Sequence, residues 1–132
     1  VGKAVAVADL LVVALFVAIG RGAHGHGLSP AGMATTAWPF LAGAVAGLLL
    51  LALLRRPPAS LGSGLLVSLF TVAIGMALRV VAGQGTAPAF VGVAFAFLGA
   101  AMLGWRTVIA CGRRRLPRLG RRQTGRPGRA LG

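Results

Sequence analysis

The stretch AVAVADLLVVALFVAIG, residues 4–20, is apolar from end to end except at Asp9. A helix needs about 20 apolar residues to cross the hydrocarbon of a bilayer, and three further stretches of this kind follow, at roughly 36–54, 64–82 and 88–111. The reading is an all-α, integral membrane four-helix bundle over residues 1–112, followed by a disordered basic tail over 113–132. The connectors carry turn chemistry: Gly22, Gly25 and Gly27 after the first span, Pro57-Pro58 after the second, Gly83-Gln84-Gly85 after the third. Ser29-Pro30 starts a helix with a capping Ser and Pro at the first helical position. Trp38-Pro39 then bends or restarts the chain into span two. Thr86 is the expected cap of span four, with Pro88 in its first turn.

Composition agrees with membrane residence. The 132 residues are 57% hydrophobic and 11% charged, where soluble domains are about a quarter charged, and the mean hydropathy is +0.86. The length suits one domain. Lys3 and Ala18-Ile19-Gly20 also fit a cleaved signal peptide. Asp9 interrupts that pattern, and with three more spans the chain stays in the membrane on either reading. Cys111 is the only cysteine, so no intrachain disulfide forms, and it reads as a small apolar residue at a helix end.

Asp9 is the only acidic side chain, set against 14 Lys and Arg for a net charge of +13. One carboxylate cannot run a paired-acid mechanism. Gly62-Ser63-Gly64 resembles a serine-hydrolase loop, but both His fall at the opposite membrane face, out of reach of a nucleophile. His24-Gly25-His26 lacks a nearby Cys, Asp or Glu to complete a metal site. The expectation is a non-enzyme with no cofactor and no metal.

Positive charge orients the bundle. With both termini cytoplasmic, Lys3, Arg55, Arg56, Arg106 and the tail all fall inside, leaving Arg21 and Arg79 outside. Trp38 and Trp105 then lie near the outer and inner interfaces, where indoles are enriched. Asp9 and Arg106 each sit about five residues from the cytoplasmic ends of the first and last spans, roughly 7–8 Å deep at 1.5 Å per residue. They form the natural intramembrane pair, read either as an ion pair that fixes helix register or as a protonatable, ion-coordinating site.

Small residues mark the packing faces. Gly43 and Gly47 do so on span two, Gly64, Ser68, Thr71 and Gly75 on span three, and Gly92, Ala96 and Gly99 on span four. At the outer end, Arg21, His24, His26 and Arg79 form a cationic cluster without an acidic partner. It either caps helix carbonyls and touches lipid phosphates or forms an anion-binding vestibule. In the tail, Arg113, Arg114, Arg115, Arg118, Arg121 and Arg122 suit anionic lipid headgroups. Nucleic acid is disfavoured because no aromatic platform accompanies the arginines, and an acidic protein partner is the third reading.

Ala8-Asp9, Gly20-Arg21 followed by His24-Gly25, and the string from Thr36 through Trp38-Pro39-Phe40 to Gly43 occur in order with three further strings. These are Gly75-Met76-Ala77-Leu78-Arg79, Gly83-Gln84-Gly85-Thr86-Ala87 and Leu103-Gly104-Trp105-Arg106. Together they resemble a family of small four-span bacterial membrane proteins catalogued as domain of unknown function 3054, over about residues 4–110. The resemblance implies a multi-pass protein of the bacterial plasma membrane and supplies no activity. It implies that Asp9, Arg21, His24, Arg79 and Arg106 are the family's polar positions. Two function classes remain: a structural or assembly protein, able to self-associate through its small-residue stripes, and an oligomeric route for protons or small anions.

Overall fold

The computed structural model describes residues 2–115; the part of the expected disordered tail at 116–132 lies outside them, with Arg118, Arg121 and Arg122. Four helices follow one another: α1 Gly2–Ala23, α2 Pro30–Leu53, α3 Leu61–Val81 and α4 Pro88–Arg115. Each is long and apolar enough to cross a membrane. The shortest, α3, has 21 residues and so spans roughly 32 Å, just over the ~30 Å hydrocarbon core.

Helix ends depart from the sequence reading for identifiable reasons. Ser29 is extended and its Oγ accepts the Gly32 N–H at 3.2 Å, with Pro30 at the first helical position. That cap is strong enough to start α2 six residues before Thr36, and the helix then passes Pro39 without restarting. In α4 the residue before Pro88 is Ala87, whose carbonyl accepts the Val91 N–H at 3.1 Å. Thr86 therefore stands one position too early to cap. At its far end α4 runs through Arg113, Arg114 and Arg115, so these three are helical rather than part of a disordered tail. Arginine is a good helix former, and cations in a last turn oppose the negative end of the helix dipole.

The helices run alternately up and down in a ring, each packed on its two neighbours, while the diagonal pairs do not approach. The α2/α3 seam is the tightest. A Cβ on Gly43 would lie 2.8 Å from the carbonyl oxygens of Phe70 and Thr71, and one on Gly47 would lie 3.1 Å from Val67 Cα. Gly75 likewise leaves room for the Phe40 ring. On α4 the expected small-residue stripe is buried only at Gly99: Gly92 and Ala96 are exposed, and a Cβ on Gly92 or Gly99 would meet nothing within 4 Å. The buried line there is Ala94, Leu98, Gly99, Met102 and Arg106. Leu98 and Met102 fill the core with side-chain volume, which holds the α4 backbone off its neighbours.

The outward faces are as apolar as the interior. Val7, Leu11, Leu15 and Ile19 recur every fourth residue along α1, and Leu11 is 64% exposed. Such a surface is stable in lipid and not in water. Inside, Phe16 makes an edge-to-face contact with Phe40 at 5.5 Å and packs on Phe90 and Phe97.

Candidate functional site

Near one end of the bundle, Asp9 and Arg106 are completely enclosed. The guanidinium meets the carboxylate fork to fork: Nη1 donates to Oδ1 at 2.8 Å and Nη2 to Oδ2 at 2.7 Å. Its remaining donors are directed at backbone, Nε to the Pro58 carbonyl at 3.1 Å and Nη1 also to the Met102 carbonyl at 3.0 Å. Trp105 Nε1 donates to Asp9 Oδ1 at 3.1 Å, and its ring lies 4.5 Å from Arg106 Cζ. Four parts of the fold therefore converge on one carboxylate and one guanidinium: α1, the α2–α3 turn, α3 and α4. The contribution of α3 is space, because a Cβ on Gly64 would come within 2.8 Å of Arg106 Cδ. No buried side-chain nitrogen or oxygen lacks a partner among the described residues.

At the opposite end both helical hairpins close with one loop pattern, Arg-x3-Gly-x-Gly-x2-Pro, at 21–30 and 79–88. Gly25, Gly27, Gly83 and Gly85 all have φ near +70° (68°, 73°, 71° and 73°), a conformation glycine adopts without cost. The arginines fold forward over the loops in the same way. Arg21 donates from Nε to Gly27 O at 3.0 Å and from Nη2 to His26 O at 2.9 Å. Arg79 donates from Nε to Gly85 O at 3.3 Å and from Nη2 to Gln84 O at 3.2 Å. Each guanidinium lies over the equivalent residue of the next helix. A Cβ on Gly32 would collide with Arg21 Nη2, and the Phe90 ring lies 4.9 Å from Arg79 Cζ.

The loops differ in their third bond. Arg21 Nη1 donates to Thr36 Oγ1 at 2.8 Å, whereas Arg79 Nη1 donates to Gln84 Oε1 at 3.0 Å. Gln84 then passes a bond onward, its Nε2 donating to the Thr35 carbonyl at 3.0 Å. That carbonyl is the one that Pro39, having no N–H, cannot serve within the helix.

Between the loops is a half-open recess of about 360 Å³, with Arg21, His24, His26, Thr35, Thr36, Arg79 and Gln84 around a floor that includes Phe16, Val17 and Phe90. A second cavity of about 420 Å³ lies between α1 and α2 and is mainly apolar, with Leu10, Leu48 and Leu49 beside Arg56. Neither is lined by Asp9 or Arg106. No three metal-ligating side chains cluster among the described residues. Ser63 donates to the Pro57 carbonyl at 2.7 Å, within the α2–α3 turn.

Sequence reasoning did not reach Trp105, Pro58, Thr36 or Gln84 as partners of these arginines. The 58-residue offset between two copies of the loop pattern was a signal for the bonds that the two arginines share, to the carbonyls of Gly27 and His26 and of Gly85 and Gln84. It was not one for the side chains of Thr36 and Gln84, where the loops differ. Pro58 and Trp105 offered none, since a backbone acceptor and an interfacial indole carry no sequence mark of their partners. Residues 6–109 match the model of a family described as "Protein of unknown function (DUF3054)", and the chain belongs to that family. No curated protein and no solved structure gives a significant match.

Proposed function

We propose that this member of the DUF3054 family is a non-enzymatic structural or assembly protein of the bacterial plasma membrane. In this reading both termini are cytoplasmic, the basic α4 end and tail contact anionic headgroups, and homo-oligomers are the natural assembly. The observation that carries it is the closure of the Asp9–Arg106 pair. A carboxylate that is 0% exposed, held by two guanidinium nitrogens and an indole N–H, is built to join the first helix to the last. It has no remaining contact with either cavity through which a proton or ion could reach it. Exposed small residues on α4, Gly92, Ala96, Ala100 and Gly104, support self-association, because small residues let helix backbones approach in lipid.

The test is a double-mutant cycle in detergent on Asp9→Asn and Arg106→Gln, read as unfolding free energy, with proton flux measured in liposomes. An architectural pair predicts that each single change destabilises the bundle, that coupling exceeds about 1 kcal/mol, and that wild-type vesicles show no flux above protein-free ones. A harmless, uncoupled Asp9→Asn together with Asp9-dependent flux would replace this reading with a permeation route.

A further inference from the structure

The geometry points to the recess between the two arginine loops as a binding site for a phosphate oxyanion, with the apolar portion of the ligand seated on the Phe16, Val17 and Phe90 floor. Charge is the first argument. Arg21 and Arg79 both line the recess, and the only acidic side chain of the chain, Asp9, is committed to Arg106 at the other end. Donor capacity is the second. A guanidinium carries five N–H groups, and each arginine commits one from each of its three nitrogens to the loops and helices around it. Two per arginine are left over. The committed bonds also hold both guanidinium groups in place before a ligand arrives, which lowers the ordering cost of binding.

Arginine forks match the oxygens of phosphate. The cavity, at about 360 Å³, falls in the range of small-molecule sites and is larger than an inorganic phosphate needs. Its polar wall and aromatic floor suit an amphiphile, and it opens where the helices end, at headgroup depth. A phospholipid headgroup and a free phosphate share the chemistry that these residues recognise, and the experiment separates them.

Full-length protein is purified in neutral detergent and probed two ways: melting temperature against inorganic phosphate at constant ionic strength, and retention of phosphatidylglycerol over phosphatidylcholine by native mass spectrometry. The basic tail binds phosphates without a pocket, so the deciding variant is Gly20→Leu. It leaves every arginine in place and adds an isobutyl group at a residue that lines the recess. A Cβ at Gly20 meets nothing within 4 Å, and leucine is the better helix former; an unchanged melting temperature without ligand checks that the variant folds. Saturable binding by wild type that weakens at least about tenfold in Gly20→Leu establishes the site. Response to phosphate alone then identifies a free anion, and response to phosphatidylglycerol alone a headgroup. Binding unchanged in Gly20→Leu, or no saturable response to either probe, overturns the proposal.

Discussion

Gln84 donates its side-chain amide to the carbonyl of Thr35 at 3.0 Å across 49 residues of sequence. This relationship explains how α2 passes a proline without a break. Pro39 removes the N–H that Thr35 would have used, and a side chain from the α3–α4 loop supplies the donor instead. The same Gln84 accepts from Arg79, so one residue ties the second loop to the first hairpin.

Gln84→Leu should therefore lower unfolding free energy in detergent by about 1–2 kcal/mol, the range of interhelical hydrogen bonds in membrane proteins and of buried unsatisfied groups. In the Pro39→Ala background the cost should shrink, because an alanine N–H at that position restores the helical donor to Thr35. Equal costs in both backgrounds would dismiss the link between Gln84 and Pro39.

Gly64→Ala tests the space given to Arg106. The arginine is pinned by the carboxylate and two carbonyls and cannot step aside, so overpacking should cost about 1–3 kcal/mol. Asp9→Leu with Arg106→Met on top of Gly64→Ala should recover most of it, since the thioether chain is free to move. Denaturation in mixed detergent reads both.

The glycines should divide by seam. Gly43→Ala would place a methyl against the Phe70 and Thr71 backbone and should destabilise by about 1–3 kcal/mol. Gly92→Ala and Gly99→Ala meet open space and should stabilise by up to about 1 kcal/mol through helix propensity. Melting temperatures of the three variants side by side decide the matter.

Arg55 has φ +52°, a left-handed conformation costly to any residue with a Cβ. Arg55→Gly should raise unfolding free energy by up to about 1 kcal/mol. A loss of stability would show that the Arg55 side chain contributes more than its backbone conformation costs.

Orientation has a direct readout. Cys111 is the only cysteine of the chain and is exposed near the end of α4. With both termini cytoplasmic, an impermeant maleimide should label it in inverted membrane vesicles and leave it unlabelled in intact spheroplasts. The opposite pattern would reverse the bundle.

Four apolar runs, separated by glycine, proline and arginine, determined by themselves that the chain forms four membrane-crossing helices. In lipid every backbone group must be satisfied within the segment, so composition and length leave little other choice. Depth along the first and last helices likewise placed Asp9 level with Arg106, because rise per residue is a local property. Tertiary structure decided the rest. Pro39 is tolerated because of Gln84, a residue of another loop. Gly43 and Gly47 make a close seam while Gly92 and Gly99 do not, because that depends on which side chains face them across the interface. The arginines at 21 and 79 come to share one recess only when the two hairpins stand side by side. Periodicity assigns residues to faces of a helix, but it does not state which helix each face meets, and the physical content of both ends of this bundle lies in those meetings.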